Sequence, residues 1–430
     1  MRLGAWSRCP AFITEQWVRK VIEYSLITAG LAEDAPYHEH ITRFHFLMIL
    51  PVSILACQGM YCGVLHLSAQ RSVHDIVVPF THGIIVGSIL GVTHCFAYKK
   101  SCACACMRSL WRKLHCCSWV EQALEWQNHY DIFHFSILFI LVALFTACFL
   151  STVVSPLVRF VFETHDSFIV MPIWYPWDML ASPVRFWLAY VYESIVLWYT
   201  GVHFLHSGTL YFYAIATAKT RFHVLSDHIV NVAVQSDCSN PNEWKCSLKT
   251  EGKCKTYDIN LMKDSERLRD CILDLIILRR QKKLFNRAFL PYITALHFVT
   301  TASATIMTFG AINEIRSNGK VTMNALNNMS YCGTSFGSWL ALSYCANRLQ
   351  EAHDRLRYSL WESDWTLGGR EFKQNFLNCE TLLCYRMPLK AYKFYQINLH
   401  SFTRNFYNVW SVIAFLYQVS GKQLRRNSTA

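Results

Sequence analysis

Charged residues are scarce in this sequence, and that scarcity excludes an ordinary soluble domain. Only 16% of the 430 residues are charged, whereas 53% are hydrophobic, and a soluble globular chain carries about 25% charged residues. The deficit extends along the whole chain, so it predicts a protein that crosses a membrane several times. The aromatic content of 15% fits a packed helical bundle with many residues at the membrane interfaces.

Motifs for catalysis and cofactor binding are also missing. The sequence has no P-loop, no Gly-x-Ser-x-Gly, no dinucleotide fingerprint and no His-Glu-x-x-His, and it matches no zinc finger or RNA-binding pattern. The cysteines of residues 101–119 alternate at a spacing that fits tetrahedral zinc poorly, so they have either no special role or a role in palmitoylation. We therefore predict no enzyme activity, no metal, no cofactor and no nucleic-acid partner.

Long apolar segments are abundant. Seven of them have the length of about 20 residues that a membrane-crossing helix needs, and they are residues 44–67, 76–97, 132–153, 186–218, 289–312, 329–346 and 401–419. None lies at the extreme N-terminus, so we expect no cleavable signal peptide. We predict an all-α polytopic membrane protein with seven transmembrane helices.

Lysine and arginine indicate the orientation of these helices. They are concentrated after the second, fourth and sixth spans and are sparse in the intervening loops. Because such residues accumulate in inner loops, the pattern places the N-terminus inside and the C-terminus outside, the inverse of a G-protein-coupled receptor. The net charge of +12 is then largely this inner bias.

The spans divide the chain into inner, membrane and outer regions. From the N-terminus the regions are an inner segment at 1–43, four spans at 44–218 with an outer loop at 154–185, an inner loop and anchor helix at 219–288, two spans at 289–346, inner anchor helices at 347–398, a pore-lining span at 401–419 and an extracellular tail at 420–430. The composition of residues 237–257 predicts a disordered loop.

Amphipathic helical patterns lie between the spans on the inner side. They cover residues 261–284, 349–361 and 372–397, the last interrupted at Pro388. Each pattern has an apolar face and a charged face, so it is too polar to cross a membrane. The patterns predict an inner helical anchor layer that packs subunits together, or else simple solvated extensions of the membrane helices.

Aromatic residues in the outer halves of four spans predict a ligand pocket. Sites for small molecules are concave and mostly aromatic and apolar, with few polar groups. The candidates are Phe80, Phe145, Phe149, Trp187, Tyr190, Tyr331 and Thr334. Ordinary packing between helices accounts for the same residues equally well, and the sequence leaves both interpretations open.

Two further features lie near this candidate pocket. Residues 171–178 place three bulky aromatics among two prolines, which predicts a rigid outer lid or simply an aromatic belt. Glu193 is the one carboxylate well inside a span, where an ionisable group is costly and is by default a functional candidate. The alternative is a buried group paired with a neighbour such as Tyr190 or His203.

The last span carries a mostly polar stripe. Its residues are Arg404, Asn408, Ser411, Phe415 and Gln418, which recur at alternating spacings of four and three, the period of one helix face. A polar stripe in a bilayer costs free energy unless it meets water or another protein surface. The stripe therefore predicts a pore wall, with Arg404 at the inner mouth.

Three stretches of the chain together resemble the insect odorant receptors. Residues 172–178, with Trp174-Tyr175-Pro176, are similar to the second outer loop of that family. Residues 339–365 are similar to its sixth helix and the inner extension of that helix, and residues 376–419 to its seventh helix. Each motif is short, but their order and the inverted topology match the family as well.

The resemblance implies an odorant-gated, nonselective cation channel of four subunits in the cell membrane of olfactory sensory dendrites. Each subunit contributes its last helix to a central pore, and an odour-specific subunit assembles with odorant co-receptor subunits as a heterotetramer. The other implied partners are a volatile small-molecule ligand, cations in the pore and membrane lipid. An ungapped match places Gln418 and Val419 at the gate and constriction, with Phe415 one turn deeper. Ser411 and Asn408 of the stripe are the further candidates for the pore wall.

The sequence departs from the family pattern in two places. Arg404 lies beside an expected cation path, and Asn405-Phe406-Tyr407 stands where the family often has Ser-Tyr-Ser. Gustatory receptors share the fold and an overlapping C-terminal pattern, so they are one alternative. A non-channel seven-helix receptor or transporter is a second, and a structural subunit that binds no ligand is a third.

Overall fold

The structure is a computed structural model, and it describes a defined set of residues. The described residues are 25, 38–69, 79, 83–84, 86–87, 105–106, 174–178, 182–234, 264–321, 323–363, 365–366, 370–385, 388–392 and 395–429. The predicted spans 76–97 and 132–153 lie mostly or entirely outside these residues, and so does the predicted disordered loop at 237–257.

Within the described residues the chain forms six helices and one short hairpin. In chain order they are α1 (His38–Ser68), α2 (Pro183–Val234), α3 (Asp264–Asn318), α4 (Met323–Glu362), α5 (Arg370–Cys384), β1 (Lys390–Ala391), β2 (Tyr395–Gln396) and α6 (Leu399–Thr429). The prediction of an all-α fold is confirmed, because the two strands of this part of the chain have only two residues each.

Three helices are much longer than a membrane is thick. α2, α3 and α4 contain 52, 55 and 40 residues, which at 1.5 Å per residue is about 60–80 Å, against a hydrocarbon core of about 30 Å. Each helix therefore extends well beyond a single span. α3 is continuous, and it joins residues 264–284 of the predicted anchor segment to the predicted fifth span.

Two segments of the described helices are long and apolar enough to cross a membrane. One is Leu47–Ser68 in α1, and the other is Arg267–Arg316, which is most of α3. The number of spans and their orientation stay predictions, since several predicted spans fall outside these two segments.

The main hydrophobic core lies where α2, α3, α4 and α5 meet. Its largest fully buried side chains include Trp339, Tyr211 and Phe289. α5 packs there because one of its faces is apolar, and the buried residues of that face are Phe372, Phe376, Cys379 and Leu383. The C-terminal halves of α2 and α4 and the N-terminal half of α3 are thereby joined into one packed layer.

The chain between α5 and α6 differs from the sequence prediction. The apolar spacing predicts helix over 372–397 with an interruption at Pro388, but α5 ends at Cys384 and the next regular structure is an antiparallel hairpin that pairs Lys390 with Gln396. The predicted helix beyond Cys384 is wrong. Pro388 lacks an N–H and disfavours helical backbone before it, and Tyr392 has a left-handed φ of 52° that no right-handed helix contains.

A reciprocal pair of hydrogen bonds caps the start of α6. Ser401 N donates to Asn398 Oδ1 at 2.7 Å, and Asn398 N donates to Ser401 Oγ at 3.0 Å. The Tyr395 hydroxyl of β2 donates to the Ser401 carbonyl at 2.9 Å. The cap satisfies an N–H group that a helix start leaves without a partner, and the tyrosine attaches the hairpin to the first turn of α6.

Two glycines let α1 approach a neighbouring segment closely. A Cβ at Gly59 would lie 2.9 Å from the Pro79 carbonyl oxygen, and a Cβ at Gly83 would lie 2.7 Å from the Ala56 carbonyl oxygen. Backbone atoms cannot yield as the end of a flexible side chain can. Small residues at helix contacts serve this close approach in membranes.

Gly83→Ala should lower the amount of folded protein at the cell surface by roughly tenfold, because overpacking of this kind costs about 1–3 kcal/mol. Surface labelling of an extracellular tag measures the effect. Gly333→Ala on α4 is the matched control, since no atom of the described chain lies within 4 Å of a Cβ at that position and alanine favours a helix over glycine. Equal surface amounts of the two variants would contradict the close approach of α1.

Candidate functional site

The first candidate site is built at the start of α2. Pro183 is the first residue of the helix, a position that the fixed φ of proline favours. Phe186 N donates to the Ser182 carbonyl at 3.2 Å, so helical hydrogen bonding begins immediately after the outer loop. The aromatic residues that follow are therefore held on a regular helix.

Three aromatic side chains cluster in the first two turns of α2. Trp187 and Tyr190 meet edge to face with ring centroids 5.6 Å apart, and Phe186 contacts both rings. Phe186 and Tyr190 are buried, whereas Trp187 is 49% exposed. The structure thus brings together the predicted ligand residues Trp187 and Tyr190, and adds Phe186, which the sequence pattern does not single out.

The described part of the predicted lid, residues 174–178, is held by two contacts. The Tyr175 hydroxyl donates to Glu193 Oε1 at 2.8 Å, and both residues are buried. Trp174 packs edge to face against Tyr61 of α1, with ring centroids 4.9 Å apart. The loop is therefore attached to both α1 and α2, and a buried carboxylate forms one of the attachments.

α1 packs along the same part of α2. The Tyr192 hydroxyl donates to the Pro51 carbonyl at 2.7 Å, and Phe44 meets Tyr199 edge to face at 5.9 Å. The apolar cluster between them contains Val52, Leu55, Val86, Tyr175, Phe186, Ala189, Tyr190, Val196 and Leu197. Tyr190 therefore belongs to a packed core as well as to the candidate site.

The other predicted ligand residues fall into two groups. Tyr331 and Thr334 lie half-buried on α4, and the Thr334 hydroxyl donates to the Ser330 carbonyl one turn back at 2.9 Å. Phe80, Phe145 and Phe149 lie outside the described residues. The pocket as a whole stays a prediction, of which the structure describes the parts on α2 and α4.

The second candidate site is the surface of α6. One face of this helix is attached to α3 and α4: Val409 and Ile413 are buried against Ala304, with half-buried Cys332 and Phe336 of α4 beside them. One turn earlier, Asn405 Nδ2 donates to Thr301 Oγ1 at 2.9 Å. The attached face therefore combines apolar packing with one interhelical hydrogen bond.

The predicted stripe lies on the opposite face of α6. All of its residues are exposed in the single chain, and they are Arg404, Asn408, Ser411, Phe415 and Gln418. At about 100° per residue, the centre of the stripe lies roughly 160° around the helix from the midpoint of Val409 and Ile413. Val419 is part of α6, but its side chain lies outside the described ones.

Aromatic contacts connect α6 to its neighbours at two places. Before its first turn, the Tyr395 ring stacks on His297 of α3 at 4.4 Å, and Trp339 of α4 stacks on the same imidazole at 4.5 Å. Further along the helix, the Arg316 guanidinium lies over the Tyr417 ring at 5.1 Å, a favourable cation–π geometry. α6 is thus connected to the end of α3 immediately beside Gln418.

A charged network fixes α5 to the C-terminal part of α4. Arg357 Nε donates to Glu380 Oε1 at 2.9 Å, and Trp361 Nε1 donates to Glu380 Oε2 at 3.2 Å. Burial acts to raise the pKa of the Glu380 carboxyl, but the hydrogen bonds from Arg357, Cys384 and Trp361 hold that pKa below its usual value. Because a lowered pKa favours the folded state above the unfolded pKa, this contact stabilises the layer at neutral pH and weakens only in acid.

Metal binding finds no support in the described part of the chain, where no group of three His, Cys, Asp or Glu residues is placed to hold an ion.

Polar side chains also form hydrogen bonds between α3 and α4. Ser303 of α3 pairs with Ser335 of α4 at 2.8 Å, and Thr308 pairs with Cys332 at 3.0 Å. Such pairs link membrane helices to one another.

Comparisons with known proteins agree with this architecture. A family model described as 7tm Odorant receptor matches residues 86–407, which is most of the chain. The insect olfactory receptor OR5 from Machilis hrabei in complex with eugenol is similar in structure, with a TM-score of 0.74 and 13% identity over 94% of this chain and 98% of that chain. A second structure of that receptor matches with a TM-score of 0.73 and 12% identity over the same shares. No functionally curated protein matches the sequence.

Proposed function

The chain belongs to the odorant receptor family, and from this premise we propose that it is the odour-specific subunit of an odorant-gated, nonselective cation channel. It is a multi-pass membrane receptor and not an enzyme. The observation that carries the channel proposal is the exposed polar stripe of α6, opposite the face that α3 and α4 cover. A membrane helix keeps such a face only where it meets water or protein.

In an assembled channel the stripe would face a water-filled path. Four last helices around one axis turn their stripes toward a shared path, and the proposed complex is a heterotetramer with odorant co-receptor subunits. Phe415 is 62% exposed in the single chain, so no described neighbour within the chain keeps its ring from facing such a path. The proposed location is the cell membrane, in the dendrites of olfactory sensory neurons.

Gating is proposed to occur at the outer part of the stripe. Phe415 and Val419 form a hydrophobic constriction, which blocks ions while it is dry and conducts once it is wetted. Gln418 presents its amide to hydrated cations in the open state, and Ser411 and Asn408 line the path below. An odorant opens the pore only if it binds the open state more tightly than the closed one.

The odorant site is proposed to include Trp187 and Tyr190 together with Phe80, Phe145, Phe149, Tyr331 and Thr334. The ring contacts at the start of α2 support it, because such surfaces hold a mostly apolar volatile molecule by dispersion and hydrophobic contacts. α4 supplies the connection to the pore. It carries Tyr331 and Thr334, and its Cys332 and Phe336 pack against the attached face of α6.

Trp187→Ala should change which odorants activate the channel most strongly. Because the ring is 49% exposed, its removal spares the fold, and a ligand that contacts it should lose about tenfold or more in potency. Dose–response curves over an odorant panel measure the change. Trp198→Ala is the control, since that ring is 41% exposed but lies three turns further along α2. Identical odour rankings in both variants and the unmodified channel would remove Trp187 from the site.

The experiment that tests the proposed function is an odorant panel applied to voltage-clamped cells. One set of cells expresses the chain with a co-receptor, one expresses the chain alone, and one expresses the co-receptor alone. We expect rapid cation currents in the first set for odorants that leave the co-receptor alone silent. Odorant responses that require a G protein, with no direct current, would contradict the channel.

A further inference from the structure

Two buried hydroxyl groups at the start of α2 have no hydrogen-bond partner within the described part of the chain. They belong to Tyr190 and Ser194, which lie one helical turn apart on the same face. Tyr190 is only 7% exposed, and the oxygen atoms of both side chains are shielded from solvent. The two hydroxyls lie close enough for a weak contact with each other, but that contact falls short of hydrogen-bond geometry, and neither group bonds to any other described residue.

Neighbouring hydroxyl groups, in contrast to these two, have hydrogen-bond partners. The Tyr175 hydroxyl donates to Glu193 at 2.8 Å, and the Tyr192 hydroxyl donates to the Pro51 carbonyl at 2.7 Å. A hydroxyl on a helix can also bond to the carbonyl one turn back, as four threonines of α2 do: Thr200, Thr209, Thr217 and Thr220. Ser194 does not use this option. Buried polar groups are nearly always paired, so these two require an explanation.

The surroundings restrict what can pair with them. Trp187 and Phe186 contact the Tyr190 ring, so the partner must present a mostly apolar body to these rings. Each hydroxyl can donate one hydrogen bond, and a carbonyl oxygen has two lone pairs that can accept both. A single ligand oxygen would therefore satisfy both groups, whereas a hydrocarbon would leave both unpaired and gain no hydrogen bond from them.

We propose that this site is built for odorants that carry a carbonyl group, such as ketones, aldehydes and esters, whose oxygen accepts hydrogen bonds from Tyr190 and Ser194. The inference rests on the proposed function, in which the start of α2 forms part of the odorant site. It adds a chemical class to that function and adds Ser194 to the residues that set specificity.

Matched pairs of ligands test the inference. Each straight-chain methyl ketone is compared with the hydrocarbon in which a methylene group replaces the carbonyl group, so that shape is conserved and the acceptor is lost. The potency of each compound is measured in cells that express the chain with a co-receptor. We expect the best ketone to be more potent than its hydrocarbon partner by a factor of about ten or more, because a site that donates hydrogen bonds to a ligand rejects an analogue that cannot accept them.

The double variant Tyr190→Phe with Ser194→Ala identifies the donors. The ketone should lose its advantage and match the hydrocarbon, and surface labelling should show that the variant reaches the membrane in the same amount as the unmodified chain. Tyr192→Phe is the matched control, because it removes a neighbouring hydroxyl that is already bonded to Pro51. That variant should keep the ketone-to-hydrocarbon ratio of the unmodified channel.

The outcomes separate this inference from the proposed function. Equal potency of ketone and hydrocarbon in the unmodified channel, or a ratio that survives in the double variant, would overturn the carbonyl site and leave the channel intact. Activation by other odorants but by no carbonyl compound would overturn it in the same way. Failure of every odorant to evoke current would overturn the proposed function itself.

Discussion

Phe415→Ala should produce a channel that leaks, with roughly tenfold more current in the absence of odorant. The proposed closed pore is a dry constriction, and removing its aromatic ring both widens it and weakens the packing of the closed state. A tenfold rise in the open-to-closed ratio needs only about 1.4 kcal/mol. Whole-cell current before odorant addition, normalised to surface protein, measures the effect.

Trp410→Ala is the matched control for this prediction. Trp410 is 58% exposed on the same helix, close to the 62% of Phe415, but it lies roughly 140° away around the helix. We expect its resting current and its permeability ratio for sodium and potassium to equal those of the unmodified channel. A leak of the same size in both variants would indicate general loosening of α6, and no leak in Phe415→Ala would remove this residue from the pore.

Tyr175→Phe should destabilise the receptor by about 1–3 kcal/mol, because it removes the donor from a buried hydrogen-bond acceptor. The lost hydroxyl donates to Glu193, a fully buried carboxylate, and desolvation makes a weakened buried carboxylate costly. The same bond attaches the outer loop to α2. The variant should therefore show a lower unfolding temperature in detergent and smaller odorant-evoked currents per surface receptor.

A double-mutant cycle with Glu193→Gln shows whether the effect passes through this pair. A neutral amide oxygen accepts a weaker hydrogen bond than a carboxylate, so Tyr175→Phe should cost much less stability in the Glu193→Gln background. Independent sites add to within about 0.3–0.5 kcal/mol. If the losses of stability caused by the two substitutions simply add, the hydrogen bond between Tyr175 and Glu193 does not contribute to stability.

The exposed face of α6 illustrates what the sequence predicts well. The period of a helix face depends only on local spacing, so the spacing alone selects the residues of the stripe.

The length of α3 is only partly predictable from local spacing. Its anchor segment and its span appear as separate patterns, yet residues 285–288 between them contain no glycine or proline, and the helix continues through Pro291.

The contacts that define the first site could not be predicted from spacing. Tyr175 and Glu193 are 18 residues apart, and their bond forms only because the outer loop returns to α2. The sequence suggests Tyr190 or His203 as the partner of Glu193 instead, although His203 lies about 15 Å further along the helix. The unpaired state of the Tyr190 and Ser194 hydroxyls among the described residues is likewise a property of the packed molecule, since it depends on what every surrounding group already binds.

The hairpin before α6 contains one feature that the sequence could have predicted and two that it could not. Asn398 followed three residues later by Ser401 is a local helix-start pattern, and it could have placed the first turn of α6. The left-handed backbone at Tyr392 could not be expected, because tyrosine seldom adopts that conformation. The stacking of Tyr395 on His297 joins residues that are far apart in the chain, and no local rule reports it.

Single-channel recording tests the channel most directly. Outside-out patches are excised from cells that express the chain with a co-receptor, and the solution at the inner face contains neither GTP nor ATP. We expect unitary cation currents that begin when odorant reaches the outer face and end on its removal, with no response to that odorant in patches that hold the co-receptor alone. Responses that occur in intact cells but disappear on excision would contradict a pore that the odorant opens directly.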